Sequence, residues 1–159
     1  MILQAAMITK DAQACLAKCL ESIGAVPVLI LDLGSTDSTC ALARSMGAKV
    51  LEGRSAAVNH HHRPTVYTWT GDLAHARNFV LGHAQADWIL TIKADEYLNE
   101  GGIQAILDGI GSNPSAKCFR VSCQNRLEVR VHRRGETLPV AGGPVLPVTI
   151  TSPPERITK

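Results

Sequence analysis

Apolar residues in this chain come in short dense runs, separated by segments in which they recur at helical spacing. Residues 2–9 form the first run and read as a buried strand. Ala12, Cys15, Leu16, Cys19, Leu20 and Ile23 then fall on one helical face, so the spacing predicts a helix over 12–23, stopped by Gly24. Val26 to Leu33 is a second apolar run, rich in β-branched residues, and Gly34-Ser35 is a turn. A helix follows from about Asp37 to Met46, with Ser and Thr available as caps and Gly47 just past its end. Lys49-Val50-Leu51 is a short third strand. Strand, helix, strand, helix, strand is the rhythm of a doubly wound sheet.

Residues 53–70 break the rhythm with a polar, unpatterned segment that contains His60-His61-His62. Loops of that length in a compact domain are uncommon and often functional. Thr70-Gly71-Asp72 opens a helix reaching about Gln85, with Leu73, Ala76, Val80, Leu81 and Ala84 on one face. Residues 88–93 are the next strand, and about Asn99 to Ile110 the next helix. Segments 117–123 and 127–133 look like a strand pair. The expected fold is therefore α/β: a doubly wound, mostly parallel sheet with helices on both faces, Rossmann-like, plus a C-terminal strand pair. One domain is expected over 1–138. A Pro/Gly-rich tail over 139–159 adds one edge strand around Val145–Thr151.

Composition narrows the class. A chain of 159 residues with 45% hydrophobic and 19% charged residues can build one globular core. A net charge of +2 gives no argument for nucleic acid as a partner. No apolar run has the roughly 18–20 residues a membrane span needs, and the start lacks the basic region of a signal peptide. The five cysteines include no Cys-x-x-Cys pair, which points to reduced thiols in a cytoplasmic protein.

Candidate chemistry collects where strands end. The run Trp88–Lys93 stops at Asp95-Glu96, an acid pair placed where α/β proteins handle cations and phosphates. Asp32-Leu33-Gly34-Ser35-Thr36-Asp37 occupies another strand-to-helix junction, suited either to a base or ribose or simply to helix capping. It is not a Gly-x-Gly-x-x-Gly fingerprint, which counts against a dehydrogenase. Asp72 suits a helix start, and Arg77 either reaches a phosphate or is a solvated surface residue. Three adjacent histidines cannot all face one point, so His60–His62 read first as a polar loop and only second as metal or ligand contacts.

Five segments in order and in register carry a resemblance. They are Met7-Ile8-Thr9-Lys10-Asp11, Cys19-Leu20-Glu21-Ser22-Ile23, Asp32 to Thr39, Ala76-Arg77-Asn78-Phe79, and Asp87-Trp88-Ile89-Leu90 with Ala94-Asp95-Glu96. Together they resemble the nucleotide-sugar half of glycosyltransferase family 2, a GT-A fold, over roughly residues 2–98. The segment 129–134 is similar, less specifically, to an Arg-rich strand that follows in such enzymes. The resemblance implies inverting transfer of a sugar from a nucleotide-diphosphate sugar, such as a UDP-sugar, to an acceptor. It implies that Thr9 and Asp11 line the nucleotide pocket, that Asp32 contacts base or ribose, that Arg77 lies near base or phosphates, and that Asp95 coordinates Mn²⁺ or Mg²⁺.

The chain departs from that pattern in three places. Lys93 stands where the first Asp of an Asp-x-Asp motif is expected, and Ala12 replaces an acidic residue. No segment in 135–159 corresponds to the acceptor region with its general base, so the catalytic base is unassigned. At about 4–5 Å and an effective dielectric near 20, the ammonium of Lys93 opposes a divalent cation by several kcal/mol, so metal binding is expected to be weak or absent. Two alternatives stand beside this expectation: Lys93 contacts the diphosphate and partly replaces the metal, or it closes the site by a salt bridge with Asp95 or a neighbour. The alternative function is a non-catalytic GT-A domain that binds a nucleotide or a protein. A homodimer or a partner chain is a further expectation, completing the acceptor site.

Overall fold

The computed structural model describes residues 2–55, 67–124, 126–136 and 143–152. The expectation for His60, His61 and His62 falls outside these residues. The described elements form a single nine-stranded sheet. Near its middle lies β1 (Leu3–Thr9), flanked in parallel by β2 (Val28–Asp32) and by the central strand β5 (Trp88–Thr91). Beyond β2 the parallel arrangement continues through β3 (Lys49–Ser55) to β4 (Tyr67–Trp69). Beyond β5 the sheet turns antiparallel with β8 (Arg126–Arg133) and β7 (Cys118–Cys123). β9 (Val145–Thr151) runs parallel to β7, and the two-residue β6 (Tyr97–Leu98) closes that side.

Why the sequence builds this follows from period-two alternation in fully buried strands. Leu3, Ala5 and Met7 of β1, Val28 and Ile30 of β2, and Trp88 and Leu90 of β5 point to one face. There they meet α1 (Gln13–Ile23) through Leu16, Cys19, Leu20 and Ile23, α2 (Thr39–Ser45) through Ala43, and α4 (Gly102–Ser112) through Ile106. The intervening residues Ala6, Leu29, Leu31 and Ile89 point to the other face and meet α3 (Leu73–Gly82) through Ala76 and Val80. Helices therefore cover both faces, which is why these strands show near-continuous apolar runs. The β7–β9 half contributes Phe119, Val121, Val131, Leu146, Val148 and Ile150 to the first of these cores.

The expected elements occur, with three differences. β9 has β7 along one side, and on the other side the two-residue β6 pairs only with Ile150 and Thr151, so the strand expected at the edge is covered at its carboxyl end. Its alternating burial, with Leu146, Val148 and Ile150 buried, reflects one covered face. The break over 53–70 is shorter than the polar pattern indicates, because Gly53–Ser55 pair with Tyr67–Trp69. A Cβ on Gly53 would stand 2.8 Å from the Asp32 carbonyl, so the close approach of β2 and β3 here needs glycine. The two-residue β6 carries no periodicity to detect.

Candidate functional site

Two loops at the carboxyl ends of β1 and β2 are locked together before any ligand is considered. Lys10 Nζ donates to the carbonyls of Leu33 (3.3 Å) and Gly34 (3.1 Å). Asp11, at φ +47°, donates its N–H to Ser35 Oγ, and its carboxylate accepts from Thr36 N at 2.8 Å. α1 begins after Ala12, which offers no capping side chain; its exposed donors are taken from the other loop. Ala12 N donates to Thr39 Oγ1 (2.8 Å) and Gln13 N to Asp37 Oδ2 (3.2 Å). Asp37 also accepts from Thr39 N at the start of α2, so one side chain caps two helices.

Asp32 lies beneath these loops, 2% exposed. Its carboxylate accepts from Thr9 Oγ1 (2.9 Å), Gly34 N (3.0 Å), Ser35 N (2.8 Å) and Ser35 Oγ (2.5 Å). Burial by itself would raise its pKa, but these donors, led by Ser35, hold it below the ordinary carboxylate value. Asp32 thus organises the turn that the following glycine makes at φ +87°.

A cleft of about 710 Å³ opens over β1 and β5. Thr9, Asp11, Arg77, Lys93 and Asp95 all line it, brought together from β1, α3 and the turn after β5. Asp32 is not on its wall. The apolar side is built from Leu33, Leu73, Val80 and Leu81. Asp72 caps α3 through Ala74 N at 2.8 Å, as its place before the helix implies, and that helix carries Arg77 to the cleft.

The two acids that end the β5 run diverge. Asp95 is exposed on the cleft, whereas Glu96 is 1% exposed and faces inward. Arg130 of β8 binds Glu96 through both terminal nitrogens, at 3.0 and 2.9 Å. The same carboxylate accepts from Lys93 N at 2.9 Å and Glu96 N donates to Lys93 O at 3.1 Å, which closes the turn 93–96. Glu96 therefore shapes the site from behind. Arg130 also reaches Glu128 at 2.7 Å, and both line the cleft. Burial would lower the Arg130 pKa, but the Glu96 charge and hydrogen bonds more than offset it and raise it. Arg130 belongs to the Arg-rich segment of the sequence; its partner, 34 positions earlier, is visible only once β5 and β8 pair.

Cys15 also lines the cleft, and burial raises its thiol pKa, as it does for Cys40, which is pushed up to about 11. Both are neutral thiols at pH 7 and poor nucleophiles. His132 is buried behind β5, outside the cleft lining.

A divalent ion fits this donor set poorly. Among the described residues no group of three or more His, Cys, Asp or Glu could hold a metal. Glu96 is consumed by Arg130, Asp95 stands alone, and Lys93 brings a positive charge to the same turn. No ion pair within 4.0 Å joins Lys93 to Asp95.

The strand order, the switch from parallel to antiparallel, and a cleft over the central strand ends have a known counterpart. The family model of Glycosyl transferase family 2 matches residues 5–148. The chain belongs to glycosyltransferase family 2. Its sheet is that of the GT-A fold. Among solved structures, this family 2 domain is similar to Staphylococcus aureus TarS 1–349 in complex with UDP, at TM-score 0.61 and 18% identity over 87% of this chain and 38% of that one. It is also similar to glucosyl-3-phosphoglycerate synthase from Mycobacterium tuberculosis in complex with Mn²⁺, UDP and phosphoglyceric acid, at TM-score 0.58 and 18% identity over 77% of this chain and 43% of that one. At such identities the likeness is one of fold.

Curated relatives include a TPR repeat-containing protein of Synechococcus elongatus, 35% identical over 94 residues, which are 58% of this chain and 20% of that protein. An uncharacterized glycosyltransferase of Rickettsia felis is 32% identical over 100 residues, 62% of this chain and 30% of that protein. The family 2 domain thus matches less than a third of the length of these relatives. No helix among its described residues is long and apolar enough to cross a membrane.

Proposed function

We infer that this domain binds a nucleotide-diphosphate sugar in the cleft over β1 and β5 and serves transfer of the sugar to an acceptor. The observation that carries this reading is the convergence of Thr9, Asp11, Arg77, Lys93 and Asp95 on one cleft at the carboxyl ends of parallel strands. Neighbours of the same fold were solved with UDP, UDP-GlcNAc, or Mn²⁺ and UDP, which supports a uridine nucleotide as the first ligand to try. In this assignment Arg77 and Lys93 meet the phosphates, Thr9 and Asp11 shape the floor, and Asp32 acts through the turn it holds. Asp95 is the one residue placed to ligate Mn²⁺ or Mg²⁺, and Lys93 weakens that site.

A second reading has its own observation. Of the carboxylates on the cleft wall, Glu128 is paired with Arg130 and Asp11 is bonded to Thr36, which leaves Asp95 as the open one among the described residues. With Asp95 alone open among the described carboxylates of the cleft, this second reading assigns the acceptor's general base to no residue described and has the domain act as a nucleotide-binding module. A thermal-shift panel of UDP, GDP, ADP and their sugars tests the donor site. A ligand at about 100 times its Kd should add about 2.7 kcal/mol to stability. Silence across the panel overturns both readings. A shift without donor hydrolysis or transfer selects the second.

A further inference from the structure

We propose that Lys93 and Arg77 form a metal-independent site for the diphosphate, with the Lys93 ammonium standing in for the divalent ion and Asp95 accepting from a ribose or sugar hydroxyl. This rests on the nucleotide reading above and deepens it. Three observations carry it.

The first is the account of charges on the cleft wall. Arg130 is paired with Glu96 and Glu128, Lys10 is spent on two carbonyls, and Asp11 on Thr36. Lys93 and Arg77 line the same cleft, are exposed, and have no acidic partner among the described residues. They are the cations left free for a ligand. A diphosphate is an acceptor-only group of high charge density, matched by a Lys point charge and an Arg fork.

The second is that the backbone of Lys93 is held in place by the fold. Its N–H is bonded to Glu96 Oε2 at 2.9 Å, and its carbonyl accepts from Glu96 N at 3.1 Å and from Cys19 Sγ at 3.4 Å. Glu96 is in turn clamped by Arg130. The chain therefore presents the Lys93 side chain from a backbone turn fixed at the end of a buried strand.

The third is the failure of the metal donor set. One open carboxylate beside an ammonium does not make a cage for a divalent ion, and the acid that would have helped is buried in an ion pair. The positive charge that the cleft needs is already covalently present.

Titration calorimetry of the full chain with UDP and GDP, each in excess EDTA and in Mn²⁺, decides the matter. The unmodified protein should bind with Kd values in EDTA and Mn²⁺ that agree within about twofold, and Lys93→Ala should weaken binding by about tenfold or more in both. Lys93→Asp should bind poorly in EDTA and regain affinity when Mn²⁺ is added. Circular dichroism melts of the variants should match the parent, because Lys93 is exposed. Binding by the unmodified protein only in Mn²⁺, or binding unchanged in Lys93→Ala, overturns the proposal while leaving a nucleotide site in place. Absence of binding by both nucleotides in both conditions overturns the nucleotide reading and the proposal with it.

Discussion

The guanidinium of Arg130 meets the carboxylate of Glu96 in a two-pronged pair, Nη1 to Oε2 at 3.0 Å and Nη2 to Oε1 at 2.9 Å. The pair joins β8 to the turn after β5, and the turn carries Lys93 and Asp95. The Arg130 and Glu96 side chains are 11% and 1% exposed, so removing either partner strands a buried charge. Arg130→Met should cost about 3–5 kcal/mol, and Glu96→Gln somewhat less because the amide keeps one acceptor. Urea unfolding of these variants and of Glu96→Gln/Arg130→Met gives the coupling, and the double variant should lose clearly less than the sum. Additive losses would show that the two groups do not depend on each other.

His132 makes stability depend on pH. Its Nε2 is buried with no hydrogen-bond partner, while Nδ1 lies 3.2 Å from the Arg133 carbonyl. Burial lowers its pKa below the ordinary 6.5, against the weaker opposite effect of that carbonyl. The unfolded chain therefore takes up a proton at a higher pH than the folded one. This contribution to stability is full above the unfolded value and falls as pH drops below it, by at most about 1.4 kcal/mol for each unit of pKa difference. Urea midpoints between pH 7.5 and 5 should decline for the parent and decline less for His132→Leu. Equal slopes would place the titrating group elsewhere.

Asp37 caps two helices, so its loss should exceed that of a single cap. Asp37→Ala removes the acceptor of Gln13 N at α1 and of Thr39 N at α2. Asp72→Ala, at the single cap of α3, is the comparison and should cost about half as much. Thermal melts of the two variants read this difference directly.

Cys15 reports on the cleft. Its raised pKa keeps the thiol protonated at pH 7, so alkylation by iodoacetamide should be slow there and accelerate toward pH 9. Cys19, buried and pushed up to about 12, should remain unlabelled in the folded protein at either pH. Peptide mass spectrometry separates the two. A nucleotide seated in the cleft should protect Cys15, and unchanged labelling in saturating UDP would contradict that placement.

Much of the architecture was legible before the structure. β1, β2 and β5 lie between helical faces, so each shows an apolar run whose alternate residues serve opposite cores. Local signals failed where context made the element. β4 exists because Tyr67–Trp69 lie beside Gly53–Ser55, and β9 is covered at Ile150 and Thr151 because the two-residue β6 pairs there. Of the candidate site, Thr9 and Asp11 were implied only by the family resemblance, and Arg77, Lys93 and Asp95 also stood out as charged residues near strand or helix junctions; all five line one cleft.

The sequence by itself determined the layered α/β order and the place of Lys93, Asp95 and Glu96 just past a buried strand, because covalent order sets which side chain follows each buried strand. Only the tertiary structure decided what the neighbouring charges do. Glu96 and Arg130, 34 positions apart, neutralise each other because β8 packs against β5. Asp32 turns inward because Thr9 and Ser35 converge on it. Lys93 and Arg77 have no acidic partner among the described residues, and that distinction between spent and unspent charge depends on distance, which the order of residues does not contain.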